Sequence, residues 1–178
     1  MDFRDLIQER KSIRAYLDEP VSREAIEALL TEAKRAPSWK NWQASRCYVV
    51  ESPEMLATFR EKVLPPFNQK SSANAVLIVT TYVKNVVGFT DGEPNNEVGN
   101  GWGAYDLGLH DAFLILAARN AGYDTLIMGI RDAAAARELL GIPEEEEVMS
   151  VIALGVRDSS VEPRNRDRKD LSETVKFF

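Results

Sequence analysis

The 178 residues fit a single domain, long enough to bury roughly 70% of the surface exposed by the unfolded chain. With 44% hydrophobic and 28% charged residues, the composition is that of a globular domain and excludes a disordered, core-poor chain. Lys and Arg total 22 against 28 Asp and Glu, a net charge of -6, so the protein repels polyanions at long range and no nucleic-acid partner is expected.

Along the chain, Phe3, Leu6 and Ile7 recur at helical spacing, and this first helix ends in Arg10-Lys11, cations that suit a helix C-terminus. Met1-Asp2-Phe3-Arg4-Asp5 carries charge at once, where a secretory leader has an apolar run, and no stretch approaches the ~20 apolar residues of a membrane helix. The expected compartment is the cytoplasm, with no membrane association. Ser22 has the form of an N-cap, and Ile26, Leu29, Leu30 and Ala33 then trace one apolar helix face up to Pro37. Cys47 to Glu51 reads as a strand, Pro53 to about Val63 as a helix opened by proline, and Ala75 to Val83 as a β-branched buried strand.

The segment from Lys84 to Gly103 has no period and is rich in glycine and asparagine, among them Gly88, Gly92, Asn95, Asn96 and Gly99, with Pro94 between. It reads as a long loop, a candidate for covering a substrate pocket. Ala104 to Asn120 is apolar nearly all round, which predicts a helix at the molecular centre or at a subunit interface. Thr125 to Met128 predicts a brief strand, Asp132 to Leu140 a helix closed by Gly141, and Val148 to Val156 a buried strand. The run Glu144 to Glu147 reads as a solvated loop. Residues 158–178 are polar and rich in arginine, yet close on Leu171, Val175, Phe177 and Phe178. A tail of this kind is expected to dock elsewhere, on a chain this short onto a second subunit.

Two segments concentrate polar chemistry. Arg10-Lys11-Ser12-Ile13-Arg14 places three cations and a hydroxyl within five residues, which suits either a solvated helix end or an anion site, since guanidinium forks and ammonium groups match phosphate oxygens. Pro37-Ser38-Trp39-Lys40-Asn41-Trp42-Gln43 sets two indoles beside amide donors and acceptors, more than a turn requires and suited to a planar hydrogen-bonding ligand. Arg164, Arg166, Arg168 and Lys169 form a second basic cluster, whose ordinary reading is a solvated run. The lone Cys47 reads as a small core residue and the lone His110 as a packed helix residue, with a Cys47–His110 nucleophile pair as the sharper alternative. One His and one Cys cannot assemble a metal site of the usual His and Cys type, and neither the Rossmann nor the P-loop glycine signature occurs.

Taken in order, Arg10 to Arg14, Pro37 to Gln43, and Ala121-Gly122-Tyr123-Asp124-Thr125-Leu126-Ile127-Met128-Gly129 after a long helix resemble the nitroreductase family of flavoenzymes over nearly the whole chain. The resemblance implies an α+β fold, a central mostly antiparallel sheet flanked by helices, in an intertwined homodimer: one domain spanning 1–178, with 158–178 docking on the partner subunit. It implies FMN at the subunit interface. Arg10, Lys11, Ser12 and Arg14 would contact phosphate, ribityl and pyrimidine edge, Arg166 and Arg168 the phosphate, and Asn68 and Lys70 the pyrimidine edge. Pro37, Ser38, Trp39, Asn41 and Gln43 would come from the other subunit, and backbone groups along Leu126, Ile127, Met128 and Gly129 would face the reactive nitrogen. Two departures stand out: Ala44-Ser45 follows the glutamine where many relatives have proline, and Met128 stands where some carry an acid.

The expected function is hydride transfer from NAD(P)H through FMN to a small electrophilic acceptor, a nitroaromatic or quinone, in a ping-pong course with no catalytic side chain of the protein's own. The rival expectations are a flavin-binding sensor or carrier without turnover, a basic-tail interaction module, and the flavin-consuming or dehalogenating chemistries of the same family.

Overall fold

The computed structural model describes residues 2–178. Helix α1 (Phe3–Glu9) starts on Asp2, whose side chain accepts from the Arg4 N–H, and α2 (Arg23–Ala33) on Ser22, whose side chain accepts from the Ala25 N–H. A 3₁₀ turn (Trp39–Asn41) leads to strand β1 (Ser45–Val50). There follow α3 (Pro53–Val63), a short α4 (Pro66–Ser71) that the sequence pattern does not announce, and β2 (Val76–Val83). A two-residue hairpin, β3 (Phe89–Thr90) with β4 (Glu93–Pro94), precedes the central α5 (Gly101–Asn120). The chain ends with β5 (Asp124–Met128), α6 (Ala133–Leu140), β6 (Glu146–Gly155) and the single-turn α7 (Leu171–Thr174).

The main sheet has the order β1-β2-β6-β5, and every pairing in it is antiparallel. Period-two alternation divides its residues between two cores. Leu77, Val79, Leu126, Met128, Val151 and Ala153 face α3 and α6, together with Phe59 and Ala136. Val76, Ile78, Ile152 and Leu154 face α2 and α5, together with Ile26, Leu29 and Leu114. Fully buried side chains such as Phe59, Leu77, Leu114 and Ile152 each stabilise the fold by ~1.5–3 kcal/mol relative to exposure. The result is a sheet between two helix layers, the expected α+β architecture.

Tertiary contacts shift three sequence expectations. The helix expected from Ala104 begins at Gly101, and its first turn packs closely on β2, where a Cβ at Gly103 would sit 2.4 Å from Tyr82 Cδ2. The polar tail from Asp158 is closed by α7, where Asp170 and Glu173 form a reciprocal capping box. The glutamate run is not a solvated loop throughout. Glu146 opens β6, is buried, and its Oε2 accepts from the Tyr48 hydroxyl at 3.0 Å and from the Thr81 hydroxyl. Burial, and then that hydrogen bond, raises the Tyr48 pKa. A side chain that sequence assigns to water is buried because two hydroxyls satisfy its carboxyl oxygen.

Candidate functional site

After α1 the chain runs along the free edge of β5. The Ile13 N–H donates to the Thr125 carbonyl at 3.0 Å, Ser12 forms a parallel bridge with Thr125, and the Leu17 N–H donates to the Val156 carbonyl at 2.9 Å. Ile13 and Tyr16 point inward, Tyr16 donating to the Ile13 carbonyl at 3.0 Å, and burial holds the Tyr16 hydroxyl protonated far above its usual range. Arg14 is exposed, while Arg10 and Lys11 are half-buried. Below them Asp124, almost wholly buried, accepts from Arg157 Nε at 2.6 Å and Nη2 at 2.7 Å, and from Arg119 Nη1 at 2.8 Å. Arg119 also reaches Glu9 at 3.2 Å, the residue before Arg10. The Asp124 hydrogen bond raises the Arg157 pKa. This ion cluster ties α1, α5 and the ends of β5 and β6 together. Its sequence signal is one acid at the start of a strand, too weak to be read in advance.

The tail leaves β6 alongside the same segment, with the Asp158 N–H donating to the Ala15 carbonyl at 3.0 Å. Arg164, Arg166 and Arg168 thereby return to Arg10, Lys11, Ser12 and Arg14, and together they line one cleft of about 420 Å³ whose lining contains no acidic residue. Two basic clusters some 150 positions apart in sequence thus share one concave surface, on which the tail arginines remain exposed. Electrostatically the cleft suits a phosphate.

Pro37, Ser38 and Gln43 line a second cleft, of about 280 Å³, with Arg46, Asp106 and His110. The turn between them is held in an unusual backbone: Lys40, Asn41 and Gln43 have φ of 47°, 57° and 50°, a left-handed region that costs non-glycine residues of order 1–3 kcal/mol each unless the surroundings enforce it. Here they do. The Trp39 N–H donates to buried Asp106 Oδ2 at 2.8 Å, and the Gln43 N–H donates to Ser38 Oγ at 3.1 Å. Asp106, on α5, was not legible as a site residue, because it sits in a run that reads as uniformly apolar.

The stretch 84–100 is fastened rather than loose. Asn85 and Asn100 pair reciprocally, the Asn85 N–H donating to Asn100 Oδ1 at 2.7 Å and Asn100 Nδ2 donating to Asn85 Oδ1 at 2.9 Å. Trp102 Nε1 donates to Asn96 Oδ1 at 2.9 Å. The Trp102 ring lies on Gly88, where φ is +79° and a Cβ would meet Trp102 Cδ1 at 2.6 Å. Trp39 and Trp102 have ring centroids 4.7 Å apart, tilted by 58°, and Tyr105 meets Trp102 edge-on at 5.7 Å.

The other predicted site residues are dispersed. Asn68 is buried on α4, donating its amide to the Ile130 carbonyl at 2.8 Å just past β5, while Lys70 is exposed at the end of the same helix. Leu126 and Met128 bury their side chains against α3 and α6, so only their backbone is free to face a ligand, whereas Ile127 and Gly129 are exposed. His110 Nδ1 lies 3.2 Å from Asp111 Oδ1. Cys47 is half-buried and packs against the α2–α5 core, and its thiol is pushed up to about 12 by burial and then by Asp111, which favours the packing reading over a nucleophile.

The sheet enclosed by helices thus carries a cationic segment along one edge and, against the central helix, a turn in left-handed backbone. The chain belongs to the nitroreductase family, whose model matches residues 7–156. It is 34% identical over 183 residues, 97% of this chain and 91% of the relative, to an Archaeoglobus fulgidus protein described as an NADH dehydrogenase/NAD(P)H nitroreductase. An oxidoreductase containing FMN superposes with a TM-score of 0.83 at 25% identity, covering 99% of this chain and 90% of that one. Bacillus subtilis ydfN shares the fold with a TM-score of 0.84 at 22% identity, covering 99% and 98%.

Proposed function

We propose that this chain holds FMN at the cationic cleft and passes hydride from NAD(P)H to a small electrophile, a nitroaromatic or quinone, in a ping-pong course. The protein is an NAD(P)H-dependent FMN oxidoreductase; the residue roles, the acceptor and the order of events are our reading. The observation that carries it is the convergence of Arg10, Lys11, Ser12 and Arg14 with Arg166 and Arg168 on a cleft without an acid. These residues fit a flavin monophosphate: guanidinium and ammonium groups bind its phosphate, and the surplus positive charge offsets the negative charge that electron uptake adds. FMN, when bound, supplies the redox chemistry itself, so the protein's part is to bind, orient and tune. We assign backbone groups from Leu126 to Gly129 to its ring, and Lys70 and Asn68 to its pyrimidine edge, Asn68 sharing the amide that it donates to the Ile130 carbonyl.

Pro37, Ser38, Trp39, Asn41 and Gln43 line or adjoin the other cleft, and we assign them to the flavin of a second subunit. Support for a homodimer comes from α5, which leaves Tyr105 and Phe113 exposed, from an apolar groove lined by Leu107, Ile115, Ile127 and Met149, and from the exposed Leu171, Phe177 and Phe178 of the tail. Among the described residues no helix is long and apolar enough to cross a membrane. We place the reaction in the cytoplasm, where the unpaired Cys47 is at home.

The test is reconstitution. The purified protein titrated with FMN should turn yellow and bleach under anaerobic NAD(P)H, with parallel initial-rate plots at several acceptor concentrations. Preference for FAD, or no flavin held, overturns the cofactor assignment; intersecting plots overturn the ping-pong order. Light scattering should give twice the chain mass, and a flavin-loaded monomer would remove the shared sites.

A further inference from the structure

We propose that His110, aimed by Asp111, is a catalytic residue of the acceptor half of the reaction: the proton donor for a quinone that takes its hydride by way of the flavin. The proposal rests on the flavin reading above and adds to it a group of the protein's own. His110 is the only histidine of the chain, and it lines the second cleft together with Ser38, Gln43 and Asp106. Its side chain is 12% exposed and that of Asp111 11%. Asp111 Oδ1 lies 3.2 Å from His110 Nδ1, so the carboxylate holds the hydrogen of that nitrogen and leaves Nε2 as the one available to the cleft. The carboxylate is fixed in turn. Its Oδ2 accepts from the Thr80 hydroxyl at 3.0 Å, and the Ser150 hydroxyl lies 2.9 Å from Thr80 Oγ1. Thr80 has one hydroxyl hydrogen and gives it to Asp111, so Ser150 is the donor in the second bond. Thr80 and Ser150 are buried and face each other across β2 and β6.

The series Ser150–Thr80–Asp111–His110 extends the layer that holds Ile78, Ile152 and Leu114, all apolar. Burying a carboxylate there is costly unless its oxygens are bonded, and the bonds it makes end on the one imidazole at the cleft. An acid that fixes a histidine, itself fixed from behind, is the arrangement of an oriented general acid. A quinone that gains a hydride carries a negative oxygen until a proton arrives. The hydride originates in NAD(P)H. The proton passes from His110 Nε2 to that oxygen, forming an O–H bond and breaking the N–H bond, so that the quinone becomes a hydroquinone and the imidazolium an imidazole, which solvent protonates again. Around His110 stand Asp106 and Asp111 on α5, Lys34 at the end of α2, and Arg46 and Cys47 on β1. Of these residue types only histidine ordinarily changes charge between roughly pH 5 and 8. In this scheme His110 is catalytic, while Asp111 and Thr80 are positioning residues.

The experiment compares FMN-loaded wild type, His110→Gln and Asp111→Asn with menadione, a quinone that needs a proton, and with ferricyanide, which takes electrons alone. Glutamine keeps a hydrogen-bonding group but cannot pass on its proton. At saturating NAD(P)H, kcat/KM for menadione should fall roughly a hundredfold in His110→Gln and by a smaller factor in Asp111→Asn, while the ferricyanide value stays within about twofold. The wild-type menadione value should decline as pH rises across roughly pH 5 to 8, a limb that His110→Gln should lose. A readout without turnover is the single imidazole C2–H signal in the proton NMR spectrum, which should shift when 1-naphthol, a ring that takes no hydride, is added to the FMN-loaded protein. An unchanged ratio of menadione to ferricyanide in FMN-loaded His110→Gln overturns the proton donor. Should that variant fail to load FMN, an imidazole signal in the wild type that 1-naphthol leaves unmoved overturns it instead. Failure of the wild type to hold FMN sinks the underlying flavin reading and is told apart by the absence of colour before any acceptor is added.

Discussion

The cleft between Arg10–Arg14 and Arg164–Arg168 is lined by cations that are mostly exposed, on segments without regular structure. The corner formed by Trp39, Trp102 and Asp106 is the reverse: each group is held by a specific partner, and glycine or left-handed backbone is used to make room. Charge acts over several ångströms and adds up from loosely placed groups, so a phosphate site tolerates loose construction. Ring stacking falls away with small displacements, so an aromatic corner must be fixed. The cationic cleft is tied to the sheet by the backbone bonds of Ile13 and Leu17 and by the ion cluster at Asp124.

The largest expected effect tests that last point. Asp124→Ala leaves the partly buried Arg119 and Arg157 without their shared carboxylate. It should cost about 3–5 kcal/mol, a fall in Tm of roughly 6–20 °C for a chain of this size, measured by thermal unfolding. A shift below about 3 °C would mean that the strand-edge segment is held by its backbone bonds alone. Next comes Arg168→Ala, expected to weaken FMN by ~1.5–3 kcal/mol, roughly ten- to a hundredfold, in a fluorescence titration. Wild-type affinity should also decline as salt rises, because exposed charges are screened. Unchanged affinity in the variant would return the tail arginines to solvent.

Gly88→Ala addresses the aromatic corner. Its Cβ must displace Trp102, and φ of +79° disfavours any side chain, so a loss of about 1–3 kcal/mol is expected, together with a changed tryptophan emission spectrum. FMN affinity should move by less than about twofold, and a larger change would merge the two regions into one cooperative unit. The smallest effect is a pH dependence from Cys47. Its folded pKa, about 12, lies above the unfolded value of about 8.5. The protonated thiol is therefore accommodated in full below the unfolded pKa, and stability declines only as pH rises from there through about 12. Urea midpoints measured at pH 7 and pH 10 should show a modest fall absent from Cys47→Ala, and alkylation of the native thiol at pH 8 should be far slower than in urea. Fast alkylation of the folded protein would show that the α5 face of β1 opens readily.

Legibility followed the range of the interaction. Ser22, Pro53 and Gly141 mark α2, α3 and α6 within a residue because caps act on their own helix. The buried runs in β2 and β6 locate the two central strands because burial of both faces imposes a near-continuous apolar pattern. The short α4 escaped notice: its six residues carry no periodic face, and Asn68 is polar for the sake of a bond to Ile130, 62 residues away. Glu146 misled because its partners, Tyr48 and Thr81, lie on other strands.

By itself the sequence determined the longer helices and the strands of the main sheet, the two basic clusters and the unusual chemistry of Pro37 to Gln43, all of which rest on local propensity or on residue type. Only the tertiary structure decided that the segment after α1 lies along β5, that the tail arginines return to it, and that Trp102 closes on Trp39 while Asp106 holds that residue's backbone. These pairings join residues 60 or more positions apart, and no periodicity within a single segment can encode them. They are set by which faces of the sheet must be covered and by where the connecting segments must then run.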